Sequence, residues 1–178
     1  MTPNKIMVLA ACALISACAG RETQQGNSYT LVTKIAFGSC GEQYKPQPIL
    51  DLAAAKKPDL FVFLGDNIYG DTYSMDTLRK KYEMLESKKE FQDLRFATRI
   101  LATWDDHDYG WNDAGRHYPH KEESKEIFLD FFGIADSSVL DHQGIYHSQM
   151  FGEEGRRLQV IMLDLRTFRD DLLPYNGN

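Results

Sequence analysis

The run Leu60-Phe61-Val62-Phe63-Leu64-Gly65-Asp66-Asn67-Ile68-Tyr69-Gly70-Asp71 decides how this chain folds. Five consecutive apolar residues suit a strand buried on both faces. The strand stops at Gly65, and a carboxylate (Asp66) and a phenol (Tyr69) follow at once. Polar groups delivered at the exit of a buried strand point at the crevice where open α/β sheets hold their ligands. Residues 35–40, 100–108 and 160–166 repeat the layout. Each runs apolar and then presents metal-competent or anion-binding side chains.

Working outward, the pattern alternates between strand and helix. Residues 31–37 read as a strand. Residues 48–56 read as a short helix, opened by Pro48 and closed before Pro58. An amphipathic helix over 76–86 places Leu78, Tyr82 and Leu85 on one face. A further helical turn or two is expected at 91–98, then a short strand at 100–104 and a polar, aromatic loop at 105–120. Residues 121–132 form a helix with Ile127, Phe128, Phe131 and Phe132 on its apolar side and Gly133 as its stop. Strands at 144–151 and 156–165 are joined by Gly152-Glu153-Glu154-Gly155, a hairpin signal. The alternation predicts an α/β fold, and the late hairpin predicts a mixed sheet. No internal repeat or low-complexity segment interrupts it.

The start of the chain reads as an export signal over residues 1–17. Lys5 supplies a positive charge, and the apolar run that follows is about 12 residues long, within signal-peptide range. A membrane span needs about 20. The run ends Leu14-Ile15-Ser16-Ala17-Cys18, which resembles a bacterial lipobox with Cys18 as the lipidated residue. Residues 18–29 are small and polar and read as a flexible tether, leaving 30–178 as one domain. Ala19 after Cys18 favours, by resemblance, an exported protein lipid-anchored to the cell envelope at the outer membrane. Of the chain's three cysteines, Cys12 leaves with the signal and Cys18 carries lipid. Cys40 then has no disulfide partner: it is buried and inert, intermolecular, or a metal ligand. The formal net charge is −6 and no basic run occurs, which argues against a nucleic-acid-binding surface. An acidic protein that handles anionic esters needs cations at its site, and bound metal would supply them.

Four strand ends carry the chemistry. Trp104-Asp105-Asp106-His107-Asp108-Tyr109-Gly110-Trp111 crowds three carboxylates and an imidazole between two tryptophans. Without a counter-charge these acids would repel one another, and a multivalent cation resolves that conflict. The alternative is a solvated acidic loop, but tryptophans prefer to be covered. Asp66 with Tyr69 offers a hard, oxygen-rich pair suited to a strongly Lewis-acidic metal; Asp66 could instead cap a helix. Gly38-Ser39-Cys40-Gly41 does not match a nucleophile elbow. Beside the other strand ends, a metal-ligand role for Cys40 outranks an inert one, and a thiolate nucleophile with His107 as base is a weaker option. Arg166 could clamp a phosphate through its planar fork, or pair structurally with Asp164 or Asp170.

Taken together, Phe37-Gly38-Ser39-Cys40, Gly65-Asp66-Asn67-Ile68-Tyr69, Thr103-Trp104-Asp105-Asp106-His107-Asp108 and Leu163-Asp164-Leu165-Arg166 resemble the PhoD-like alkaline phosphatase/phosphodiesterase family of calcineurin-like metallophosphoesterases. The resemblance covers roughly residues 30–178. It implies the N-terminal part of a four-layer αββα sandwich, iron and calcium or other divalent metals as cofactors, and phosphate mono- or diesters as substrates. By motif position it implies Cys40, Asp66, Tyr69 and Asp106 as metal ligands, with His107 and Asp105 as catalytic residues. Arg166 would help orient the ester. The implied reaction is hydrolysis, with a metal-bound hydroxide attacking phosphorus in line. The alternative is a non-catalytic lipoprotein that keeps a metal- or phosphate-binding half-site. The family takes further ligands from a Gly-His-x-His, whereas His117, His120, His142 and His147 form no such pair. The expectation is therefore a C-terminally truncated member.

Overall fold

The computed structural model describes residues 31–173. The expected signal (1–17), the tether (18–29) and Cys18 lie outside the described residues. Three strands, β1 (Ile35–Gly38), β2 (Leu60–Phe63) and β3 (Arg99–Ala102), form a parallel sheet in the order β1-β2-β3. Between them run helices α1 (Pro48–Ala55), α2 (Met75–Glu86) and α3 (Lys89–Ala97). After β3 come the one-turn helix α4 (Asp106–Tyr109), α5 (Lys121–Phe132) and the short α6 (Ser137–Leu140). Strands β4 (His147–Phe151) and β5 (Leu158–Met162) then pair antiparallel.

β2 is buried at every position, as its run of apolar residues predicts. Its side chains alternate between two cores, because successive residues of a strand face opposite sides. Phe61 and Phe63 enter the larger core with Leu50, Leu78, Tyr82, Phe91, Leu94 and Phe128 from the helices. Leu60 and Val62 join Leu101 in a smaller core closed by Phe151 and Met162 of the hairpin. The result is three layers: helices, parallel sheet, antiparallel hairpin. Aromatic rings interlock in the helical layer, with Phe91 stacked on Phe131 at 5.5 Å and Phe63 against Phe132 at 5.8 Å.

Three expectations shift. The α/β class holds, but the hairpin builds its own sheet and does not join the parallel one. Burying Leu60 and Val62 requires a layer across that face, not an added strand at its edge. β1 begins at Ile35 and not at residue 31, because the Asp59 carboxylate takes the Thr33 and Lys34 amides at 2.7 and 2.9 Å. The loop expected at 105–120 opens with α4, whose N-cap Asp105 and third residue Asp108 form a reciprocal capping box.

Candidate functional site

The ends of β1, β2 and β3 lie side by side, and their exit loops are fastened to one another. The Cys40 amide donates to the Gly65 carbonyl at 3.2 Å, and the Gly41 amide to the Asp66 carbonyl at 2.8 Å. Cys40 and Asp66 both take left-handed backbone, with φ of 59° and 50°. Non-glycine residues held in that region carry strain, and such strain concentrates at functional sites. Gly65 (φ 108°) lets the β2 exit pass against the β3 exit: a side chain there would bring a Cβ within 2.7 Å of the Asp105 Cβ.

Asp108 holds the third loop in place. Its buried carboxylate accepts the Asn67 amide at 3.0 Å, the Ile68 amide at 3.2 Å, the Asp105 amide at 3.0 Å and the Tyr82 hydroxyl at 3.3 Å. Burial pushes this carboxyl up to about 7, against the pull of the backbone donors. One side chain thus fixes the loop carrying Asp66 against the loop carrying Asp105, Asp106 and His107. Asn67 adds a bond from its side-chain amide to the Thr103 carbonyl at 3.0 Å.

Asp66, Asp106 and His107 converge as a result. Each offers a ligand atom, and these atoms lie within 4.8 Å of one another. The Cys40 thiol reaches Asp66 Oδ2 at 3.7 Å, and the Tyr69 ring lies 4.3 Å from the His107 ring. Three separated stretches of sequence therefore meet, and Cys40 is exposed here, not buried. The donor set fits a cation. Asp66 Oδ1 is buried with no hydrogen-bond donor, and carboxylate, thiol, phenol and imidazole are the groups that hard or borderline metals take.

The electrostatics agree. Burial raises the Asp66 carboxyl; His107 opposes the shift, while Asp105 and Asp106 add to it. Burial and the neighbouring Cys40 and Asp66 raise the Tyr69 phenol. Burial would also raise Asp106, but the Asp113 amide at 2.6 Å and the Arg166 guanidinium more than offset it, so this acid stays below the ordinary range. Acids that compete at close range gain most from a shared positive charge.

Arg166 takes neither of the structural partners expected for it: its side chain pairs with Asp105 and Asp106, while Asp170 pairs with Arg116. Its Nε binds Asp105 Oδ1, and its Nη2 lies 3.3 Å from Asp106 Oδ1, while Nη1 is buried without a partner. Asp164 accepts the Arg166 and Thr167 amides of the turn after β5, each at 2.9 Å, together with the Thr167 hydroxyl at 2.8 Å and the Ile145 amide at 2.9 Å, and so positions the arginine's backbone without neutralising its side chain. Asp105 therefore holds Arg166 and does not itself join the three-residue group. One participant was not foreseen: Asp71 accepts from or bonds His107 Nδ1 at 2.8 Å and takes the Asn112 amide at 3.1 Å. This leaves the other ring nitrogen of His107 for the site. Asp71 closes the opening stretch of sequence, yet nothing in its spacing marked it. His117 pairs with Asp171, His120 with Glu123, and His142 and His147 bond backbone carbonyls; among the described residues none of them enters the group.

A layered α/β molecule with acids, imidazole and thiol gathered at its strand ends is the class that fold and site define. Among solved structures the chain is similar to that of PhoD, with a TM-score of 0.66 at 20% identity. The match covers 81% of this chain and 33% of that one, so the chain spans about a third of the length of the structure it matches. The likeness is one of fold, and it agrees with the resemblance carried by the strand-end motifs. No protein-family model matches the chain, and no curated protein does.

Proposed function

We propose that this chain carries the strand-end metal and phosphate site of a PhoD-like phosphate ester hydrolase. The observation that carries the reading is the convergence of Asp66, Asp106 and His107 within 4.8 Å, with Cys40 and Tyr69 beside them. Cys40, Asp66, Tyr69 and Asp106 would hold the metal, iron with calcium or another divalent ion by family resemblance. When bound, such a metal supplies Lewis-acid stabilisation of phosphoryl charge and an activated water. The protein's own groups do the rest. His107, held through Nδ1 by Asp71, presents its second nitrogen to protonate a leaving alkoxide. Arg166 offers the free Nη1 donor to a phosphoryl oxygen, while Asp105 fixes its plane. The Cys18 lipobox supports export and a lipid anchor at the cell envelope.

The test is metal analysis of the purified chain together with turnover of p-nitrophenyl phosphate and its diester at alkaline pH. Asp66→Asn and Asp106→Asn are expected to lose bound metal and to cut turnover by about 10²–10³-fold. A metal-free chain that hydrolyses neither ester sinks the reading.

A second reading is favoured by one observation. Among the described residues a single three-residue group meets the geometry of a metal site, where the family resemblance implies two metals. On that reading the chain is a non-catalytic half-site. One equivalent of metal and measurable phosphate affinity without turnover would select it.

A further inference from the structure

Trp111 departs from the expectation that both tryptophans flanking the acidic run are covered. Trp104 is 2% exposed, but Trp111 is 43% exposed and Tyr73 is 53% exposed. Their rings lie 5.1 Å apart with 33° between their planes. Exposed, paired aromatic surface on an acidic protein is a feature with a cost in water, and rings presented this way stack on other planar groups.

The pair is built rigidly. Tyr73 rests on Tyr118 at 5.5 Å, and Tyr118 rests on Tyr109 at 5.5 Å, both of these being buried. The Tyr118 hydroxyl donates to the Thr72 carbonyl at 2.7 Å, and the Thr72 amide donates to the Gly110 carbonyl at 2.6 Å. These bonds lock the segment before Tyr73 to the segment before Trp111. Gly110 has φ of 139°, and a side chain there would run into the Tyr118 ring, so the backbone passes at its closest.

The pair is also tied to the catalytic candidates. Asp71, two residues before Tyr73, bonds His107 Nδ1. The same Asp71 oxygen takes the amide of Asn112, the residue after Trp111. The backbone flanking both rings is thus fastened to the carboxylate that holds the imidazole assigned to the leaving group.

We propose that Tyr73 and Trp111 form a stacking subsite for a planar aromatic group carried by the phosphate ester, either a nucleobase or an aryl leaving group. The placement of the subsite beside His107 rests on the phosphoesterase reading; the stacking itself does not. Ring-on-ring contact of this kind changes affinity by about 5- to 100-fold when the aromatic side chain is removed.

The experiment measures binding, apart from turnover, on the full chain loaded with metal. AMP, ribose 5-phosphate and p-nitrophenyl phosphate are titrated by calorimetry. For the unmodified chain, tryptophan fluorescence is followed as well, since only Trp111 of the two tryptophans is open to solvent. AMP or p-nitrophenyl phosphate is expected to bind about 5- to 100-fold tighter than ribose 5-phosphate. In Tyr73→Ala and Trp111→Ala that ratio should collapse towards one, with Trp111→Phe restoring most of it. Both side chains are exposed, and unchanged melting of each variant confirms its fold. Preference for AMP alone assigns a nucleobase, and for p-nitrophenyl phosphate alone an aryl group. Equal affinity for ringed and ringless phosphates, or a ratio untouched by both alanine variants, overturns the subsite. A chain that prefers AMP through these rings yet hydrolyses nothing keeps the subsite and sinks the hydrolase.

Discussion

Asp71 illustrates how one carboxylate sets the state of another residue. Burial alone would lower the His107 imidazole, but the Asp71 hydrogen bond and the Asp71, Asp66 and Asp106 charges raise it above its ordinary value. In the metal-free protein this favours the imidazolium. Because the folded value is raised, its contribution to stability is full below about pH 6.5 and is lost as pH climbs through the folded value. Asp71→Asn is expected to bring the His107 titration, followed by NMR, back towards or below the ordinary histidine range. A His107 titration unmoved by that substitution would show the contact to be idle. His107, Asp66 and Asp106 were legible in the sequence because each belongs to a dense polar run at a strand end. Asp71 was not, since its partner lies 36 residues away.

Among elements, the joint between the β2 exit and α4 matters most. Asp108 serves α4 as the third residue of a capping box and serves the neighbouring loop as an acceptor for two amides. Asp108→Ala strands the buried Asn67 and Ile68 amides, the partly buried Asp105 amide and the buried Tyr82 hydroxyl. Each unsatisfied group costs about 1–3 kcal/mol, and partial relaxation brings the expected loss to about 3–5 kcal/mol. Urea unfolding monitored by circular dichroism checks this through a lowered midpoint with an unchanged slope. A loss below about 1 kcal/mol would mean that the two loops are held by other contacts. The helices themselves were readable from periodicity. α2 buries Leu78, Tyr82 and Leu85 as their spacing requires, and α5 stops at Gly133 in left-handed backbone. α4 was hidden, because a single turn leaves no periodic signal and its N-cap Asp105 was read as a candidate catalytic acid.

The whole molecule leaves apolar surface open. Phe37 on β1 is 71% exposed, and Ile161, Leu163 and Leu165 on and after β5 are each 60% exposed or more. Apolar surface on this scale binds hydrophobic dyes and drives association. The folded chain should enhance ANS fluorescence under native conditions and should self-associate as concentration rises. Ile161→Lys with Leu165→Lys should reduce both effects, as read by dye titration and light scattering. Dye binding indifferent to these changes would place the sticky surface elsewhere.

Local chemistry along the chain was enough to specify the strands, the amphipathic helices, the α/β class and the polar strand ends. Each of those depends on neighbours a few residues apart, through alternation, helical periodicity or turn composition. Partnership across the fold required the tertiary structure. The hairpin became a separate layer because Leu60 and Val62 need cover on the face away from the helices. Arg166 met Asp105 and Asp106, and Asp71 met His107, because packing of layers brings together residues that sequence distance keeps apart.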